Sequence, residues 1–139
     1  MKLKVHLVYP GTCEEAFNLY KEALNGEIVF TFRKKEDKTF QAAETDKEKI
    51  SHMVLNTQHF ELAGEDANSG EVVESGNNNK LVLSFYNPDD LHRVFNLLSK
   101  EGTIVSPLEK TFFTEAIGEI IDKYGVRWLI MMSDDDYSA

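Results

Sequence analysis

Apolar residues set the period of the chain, and the period changes several times. LKVHLVY (3–9) reads as a strand. In the following TCEEAFNLYKEALNG, Ala16, Leu19, Tyr20 and Ala23 fall on one helical face, with Phe17 and Leu24 on its flank. Thr12 and Glu15 form the Thr-x-x-Glu pattern of a capping box, and Gly26 is placed to close the helix. EIVFTF then returns to strand. Three strands are expected after this helix, over 27–33, 39–44 and 50–62, the last long or broken. They are separated by the polar turns KKEDK and ETDKEK, and NTQH falls within the third.

The same order returns from residue 81. LVLSFY precedes NPDDLHRVFNLLSKEG, where Asn87 is a cap and Pro88 occupies the first helical position, at which its missing amide costs nothing. Leu91, Val94, Phe95 and Leu98 form the apolar face, and Gly102 closes the helix. Strands are expected over 103–108, 116–121 and 126–132. The two caps are 87 − 12 = 75 residues apart and the two closing glycines 102 − 26 = 76. That agreement points to an internal repeat of strand–helix–strand–strand–strand. The expected organisation is a single domain of two repeats. Residues 1–63 form the first module, the Gly- and Asn-rich stretch 64–79 a linker, 80–132 the second module and 133–139 an acidic tail.

Composition narrows the function. A formal net charge of −9 opposes a nucleic-acid footprint. The basic run Arg33-Lys34-Lys35 leads directly into Glu36-Asp37 and reads as a solvated hairpin tip. The one cysteine, Cys13, excludes an intrachain disulfide and suits a reducing cytoplasm. No apolar run reaches membrane-spanning length, so a cytoplasmic protein without a membrane partner is expected.

Three stretches, GTCEEAFNLYKEALNGEI, KISHMVL and PLEKTFFTEAIGEIIDKYGVRWLI, resemble signatures of the PhnB-like branch of the vicinal oxygen chelate superfamily, the group of glyoxalase I, bleomycin-binding proteins and extradiol dioxygenases. The sequence departs from that branch at Phe113-Thr114, where Trp-Gly is usual, and at Asn25, where Gly is usual. The resemblance implies an α+β fold of two βαβββ modules forming a cupped mixed sheet, and a homodimer. It also implies a ligand cup, in which metal-dependent members place a His on the first strand, a His or Gln on the strand opening the second half, and a carboxylate on the last strand. Anchored on the helix signatures, those positions fall near Val5, Val82 and Leu129, none of which binds a metal. A slip of one residue brings in only His6. No metal and no cofactor is therefore expected.

His52 matches the branch's own strand histidine and is a candidate base or hydrogen-bond donor. Glu119 alternates with Ile117 and Ile121. If these face an apolar cup, its carboxyl is a second catalytic candidate. Tyr9, Ser84, Phe113 and Leu129 are expected with His52 as the ligand pocket, whereas Trp128 is expected in the core. His59 and His92 read as turn and surface residues. Cys13 begins a helix, but Glu14 and Glu15 oppose a thiolate there. No phosphate loop, nucleophile elbow or Cys-x-x-Cys is present, and nothing has the doubly wound pattern of a methyltransferase cofactor domain. Three functions follow as expectations. They are a metal-free binding protein for a small organic molecule, a lyase, isomerase or dioxygenase-type enzyme using His52 and Glu119 with or without a divalent metal, and an interaction module whose cup is filled by Phe112 and Phe113.

Overall fold

The computed structural model describes residues 1–133, so most of the expected acidic tail lies outside the described residues. The chain is α+β and folds as two compact units, Met1–Glu74 and a second beginning at Ser75. The first contains β1 (Val5–Tyr9), α1 (Cys13–Ala23), β2 (Glu27–Arg33), β3 (Ile50–Asn56) and β4 (Glu61–Asp66). The second contains β5 (Leu81–Phe85), α2 (Pro88–Ser99), β6 (Thr103–Glu109), β7 (Ile117–Ile121) and β8 (Arg127–Met132). Each unit forms a four-stranded mixed sheet, ordered β1-β4-β3-β2 and β5-β8-β7-β6. The outer pairs β1–β4 and β5–β8 are parallel, and the other pairs antiparallel.

The repeat is visible residue by residue. β1 and β5 carry the same register against β4 and β8, so His6 corresponds to Val82 (82 − 6 = 76). Its partner Ala63 corresponds to Leu129 (129 − 63 = 66), and Glu65 to Met131. The helix ends match as well, although Gly26 and Gly102 are not themselves the left-handed residues. Asn25 (φ 52°) and Glu101 (φ 60°) make that turn. The glycines instead let the chain approach a neighbouring strand, since an added Cβ would meet the carbonyl oxygen of Asn56 or of Ile121.

Several expectations are corrected. There is no strand over 39–44. Asp37 holds the amide and hydroxyl of Thr39 at 2.9 and 2.6 Å, and the chain continues into a short 3-10 turn at Glu44–Asp46. These side-chain hydrogen bonds compete with a ladder. The stretch 50–62 is two strands, and β4 runs on through Gly64, Glu65 and Asp66 into the expected linker. The Thr12 hydroxyl does not cap α1. Asp66 does so from the end of β4, accepting the Cys13 amide at 2.9 Å and the Ile50 amide at 2.8 Å. Asn87 caps α2 as expected, accepting the amides of Asp89 and Asp90. The basic run is no solvated tip. Lys34 is buried and donates to Asn68, Arg33 pairs with Glu14 through both terminal nitrogens, and Lys35 pairs with Glu48.

Each sheet buries one face under its helix. Tyr9, Met53, Leu55 and Leu62 pack with Phe17 and Tyr20 of α1 in the first unit. Ile120, Trp128 and Ile130 pack with Leu91, Val94, Phe95 and Leu98 of α2 in the second. Strand alternation turns the intervening residues to the opposite, open face.

Candidate functional site on the open sheet faces

On the open face of the first unit, His6 from β1, Glu65 from β4, His52 from β3 and Phe30 from β2 form a continuous row. His6 Nε2 lies 3.4 Å from Glu65 Oε1, and both side chains are about two-fifths exposed (40% and 42%). The His6 and His52 rings are nearly parallel, 18° between planes with centroids 5.6 Å apart. Phe30 meets His52 edge-on at 5.8 Å and tilts against Phe32 at 6.3 Å. The row follows from register: Phe32 stands opposite His52, Phe30 opposite Val54, Val54 opposite Ala63, and Ala63 opposite His6. The residue facing this side of β1 is thus His6, not Val5, which pairs with buried Leu62.

The open face of the second unit differs in chemistry. Val82 and Leu129 are paired neighbours there, with Ser84 beside Met131 and Glu119 opposite Leu129. Glu119 shares a face with Ile117 and Ile121, as the alternation suggested, but it is no isolated carboxylate in an apolar cavity. It pairs with Lys80 through one oxygen and lies 3.5 Å from the Arg127 guanidinium through the other. Arg127 also donates from Nε to the Gly76 carbonyl at 3.2 Å. The Asp-Lys-Tyr-Gly turn beneath them is held by Asp122. It accepts the Tyr124 and Val126 amides on one oxygen and the Trp128 indole on the other, at 2.9 Å.

The remaining sequence candidates separate clearly. Tyr9, expected to line a pocket, is fully buried against α1 and donates its hydroxyl to Tyr20 at 3.2 Å. Its place in β1 puts it on the helix face, opposite Asp66. Ser84 and Leu129 are on the open face of the second sheet. Phe113 lies in the loop before β7, edge-on to the exposed Phe112 at 5.1 Å. Trp128 is core, as expected. His59 is in the turn before β4 and His92 on the exposed side of α2. Cys13 is buried, and desolvation, reinforced by Asp66, Glu14 and Glu65, pushes its thiol far above the ordinary range, which makes it a poor nucleophile. Glu65 was missed because it falls in the expected linker, and Lys80 because it stands just before β5, at the first residue of the expected second module. The alternation Leu62, Gly64, Asp66 on one side and Ala63, Glu65 on the other was the signal that β4 continues.

These donors do not fit the divalent ion implied by the resemblance. Ring nitrogens bind along the ring plane, and two nearly parallel imidazoles direct those lone pairs side by side instead of toward one point. Val82 and Leu129 supply no donor in the second unit, and Glu119 is already neutralised by two cations. Among the described residues no group of three His, Cys, Asp or Glu side chains has a geometry that could hold a metal ion.

The paired βαβββ units and their open faces define a glyoxalase-like protein. The chain belongs to the Glyoxalase/Bleomycin resistance protein/Dioxygenase superfamily, whose pattern it matches over residues 3–130. It is 26% identical to the protein PA1353 of Pseudomonas aeruginosa, whose crystal structure superimposes with a TM-score of 0.85 over 96% of this chain and 100% of that one. The PhnB protein of Bacillus cereus shares the fold, with 24% identity and a TM-score of 0.79 over the same shares of each chain. Protein YjdN of Escherichia coli K12 is 25% identical over 94% of both chains. No helix among the described residues is long and apolar enough to cross a membrane.

Proposed function

We propose that this chain binds a small organic molecule on the open face of its first sheet, without the metal triad of its superfamily. The observation that carries this reading is the His6–His52–Phe30 row. His52 stands between His6, stacked against it, and Phe30, edge-on to it, on a rigid sheet, with Phe30 half exposed (49%) and Glu65 beside His6. Such a surface takes a small aromatic or heteroaromatic molecule by ring-to-ring contact with the exposed Phe30, and Glu65 accepts a hydrogen bond from a polar edge of the ligand. Ser84, Leu129 and Phe113 remain proposed lining residues of the second unit.

The test is a thermal-shift screen of planar aromatic and heteroaromatic compounds. A ligand at about 100 times its Kd adds about 2.7 kcal/mol of stability. Hits are expected to lose their effect in His52→Ala and Phe30→Ala. Hits that survive both substitutions would contradict the placement. The family resemblance adds a homodimer of cytoplasmic origin, and exposed Val82, Ile104 and Val105 are apolar surface available for it. A monomer mass by analytical ultracentrifugation would remove that part.

A second reading, acid–base catalysis, is favoured by one observation, the His6–Glu65 contact. In this reading His52 and Glu119 remain catalytic candidates, with Glu119 paired to Lys80 and Arg127.

A further inference from the structure

We propose that the open face of the second unit carries an anchor for an aliphatic carboxylate, built from Arg127 and Lys80, with the alkyl chain lying along Val82 and Leu129. The inference concerns the second unit alone and is independent of the ring row on the first. It needs positive charge beyond what the unit itself neutralises, a donor still open to a ligand, and an apolar strip leading away from it.

Register sets these groups in rows. Leu81 stands opposite Trp128 in the parallel β5–β8 pair, so Lys80, one residue earlier, comes beside Arg127 at the start of both strands. Glu119 reaches between them from β7, where it stands opposite Leu129. Two cations thus share one carboxylate, whose side chain is 10% exposed, and positive charge is left over in a chain of formal charge −9. The Arg127 contact to that carboxylate is long, 3.5 Å from Nη1, and Nε donates to the Gly76 carbonyl at 3.2 Å. Nη2 has no partner among the described residues. The Lys80 side chain is 43% exposed, and its ammonium has N–H donors to spare. A ligand carboxylate therefore finds charge-assisted donors on Arg127 and Lys80 that Glu119 leaves open. The next row is Val82 and Leu129, paired neighbours, of which Val82 is 54% exposed. Met131 follows on the same face, about 7 Å beyond Leu129 at the ordinary strand rise. This strip is aliphatic, unlike the ring row of the first unit, and its chemistry suits an alkyl chain. The first unit lacks the anchor. Lys4 and Glu61 correspond there to Lys80 (80 − 4 = 76) and Arg127 (127 − 61 = 66), so their charges balance, and Val54 stands where Glu119 does.

Octanoate is the probe, and octanamide is its uncharged counterpart. Binding to the intact protein is followed by NMR titration, reading the methyl resonances of Leu129 and Met131. Octanoate is expected to bind with saturation and to shift both residues. Octanamide should bind about 10-fold more weakly or worse, the loss expected when charge-assisted hydrogen bonds are removed. Arg127→Gln should weaken octanoate by about 10-fold as well, with Arg127→Lys recovering part of it. Glu119→Gln removes the internal competitor and should tighten octanoate several-fold, which a purely structural ion cluster would not do. His52→Ala and Phe30→Ala, in the first unit, should leave octanoate binding unchanged. Circular dichroism establishes that each variant is folded. Equal affinity for octanoate and octanamide overturns the inference, and so does a folded Arg127→Gln with parental affinity. Octanoate binding that disappears in His52→Ala overturns it too, by moving the ligand to the first unit. Absence of octanoate binding overturns the anchor and leaves the ring row of the first unit to its own screen.

Discussion

Asp66, the last residue of β4, accepts the main-chain amide of Cys13, the first residue of α1, at 2.9 Å. The same buried carboxylate accepts the Ile50 amide at 2.8 Å, so one side chain joins the start of α1, the start of β3 and the end of β4. Replacing it strands two buried donors. Asp66→Ala is expected to lower the unfolding free energy by about 3 kcal/mol, read by urea denaturation. Thr12→Ala, whose hydroxyl caps nothing, should change it by less than about 0.5 kcal/mol. The reverse ranking would return the cap to Thr12.

Gly64 lies beneath the Phe17 ring, and an added Cβ would stand 2.8 Å from two ring carbons. The ring is fully buried between Tyr9 and Tyr20 and has little room to retreat. Gly64→Ala should therefore cost about 1–3 kcal/mol by overpacking. A neutral result in chemical denaturation would mean that α1 rides more loosely on the sheet than its contacts imply.

Glu119 tests the ion-pair cluster of the second unit. Its side chain is 10% exposed, whereas Lys80 is 43% and Arg127 22% exposed. Glu119→Ala leaves two cations without their shared counter-charge and should cost about 2 kcal/mol, less than a fully buried pair because both cations reach water. Combining Glu119→Leu with Lys80→Met and Arg127→Met should recover most of that loss. If the triple substitution is as unstable as Glu119→Ala, the cluster contributes more than charge balance.

Acid should destabilise the first unit through Asp46. Hydrogen bonds from the Ser69 hydroxyl and amide, and then the Lys49 ammonium, hold its carboxyl well below the usual carboxylate range. A carboxyl depressed in the folded state adds stability above its unfolded value, about 3.9, and loses it as pH falls toward the folded value. Thermal midpoints should decline below about pH 4. In Asp46→Asn that decline should be shallower, and an unchanged slope would remove Asp46 as a source.

Cys13 should resist Ellman's reagent in the native protein and react fully in denaturant, because burial keeps the thiol protonated. Rapid native labelling would require α1 to open at its first turn.

Both repeats, both helices and the strands β1, β2, β5, β6, β7 and β8 were legible because each carries an unbroken local period. The region between β2 and β4 was not. Asp37, Asp46 and Asp66 organise it through side-chain bonds to residues far along the chain, and no local period reports them. The site was half legible. His52 stood out as a polar residue in an apolar strand, whereas Glu65 lay hidden in a stretch whose composition reads as linker. Tyr9 was misplaced because a strand aromatic suits either face, and only its register opposite Asp66 fixes the buried one.

Whether the open face of the first sheet holds an ion or an organic ring is decided most directly by metal content. Untagged protein purified without chelators is assayed by inductively coupled plasma mass spectrometry, before and after exposure to Zn, Ni, Mn or Fe. The stacked, nearly parallel imidazoles of His6 and His52 predict substoichiometric metal in every case. One equivalent per chain, lost in His6→Gln, would contradict the organic-ligand reading and make the row a metal centre.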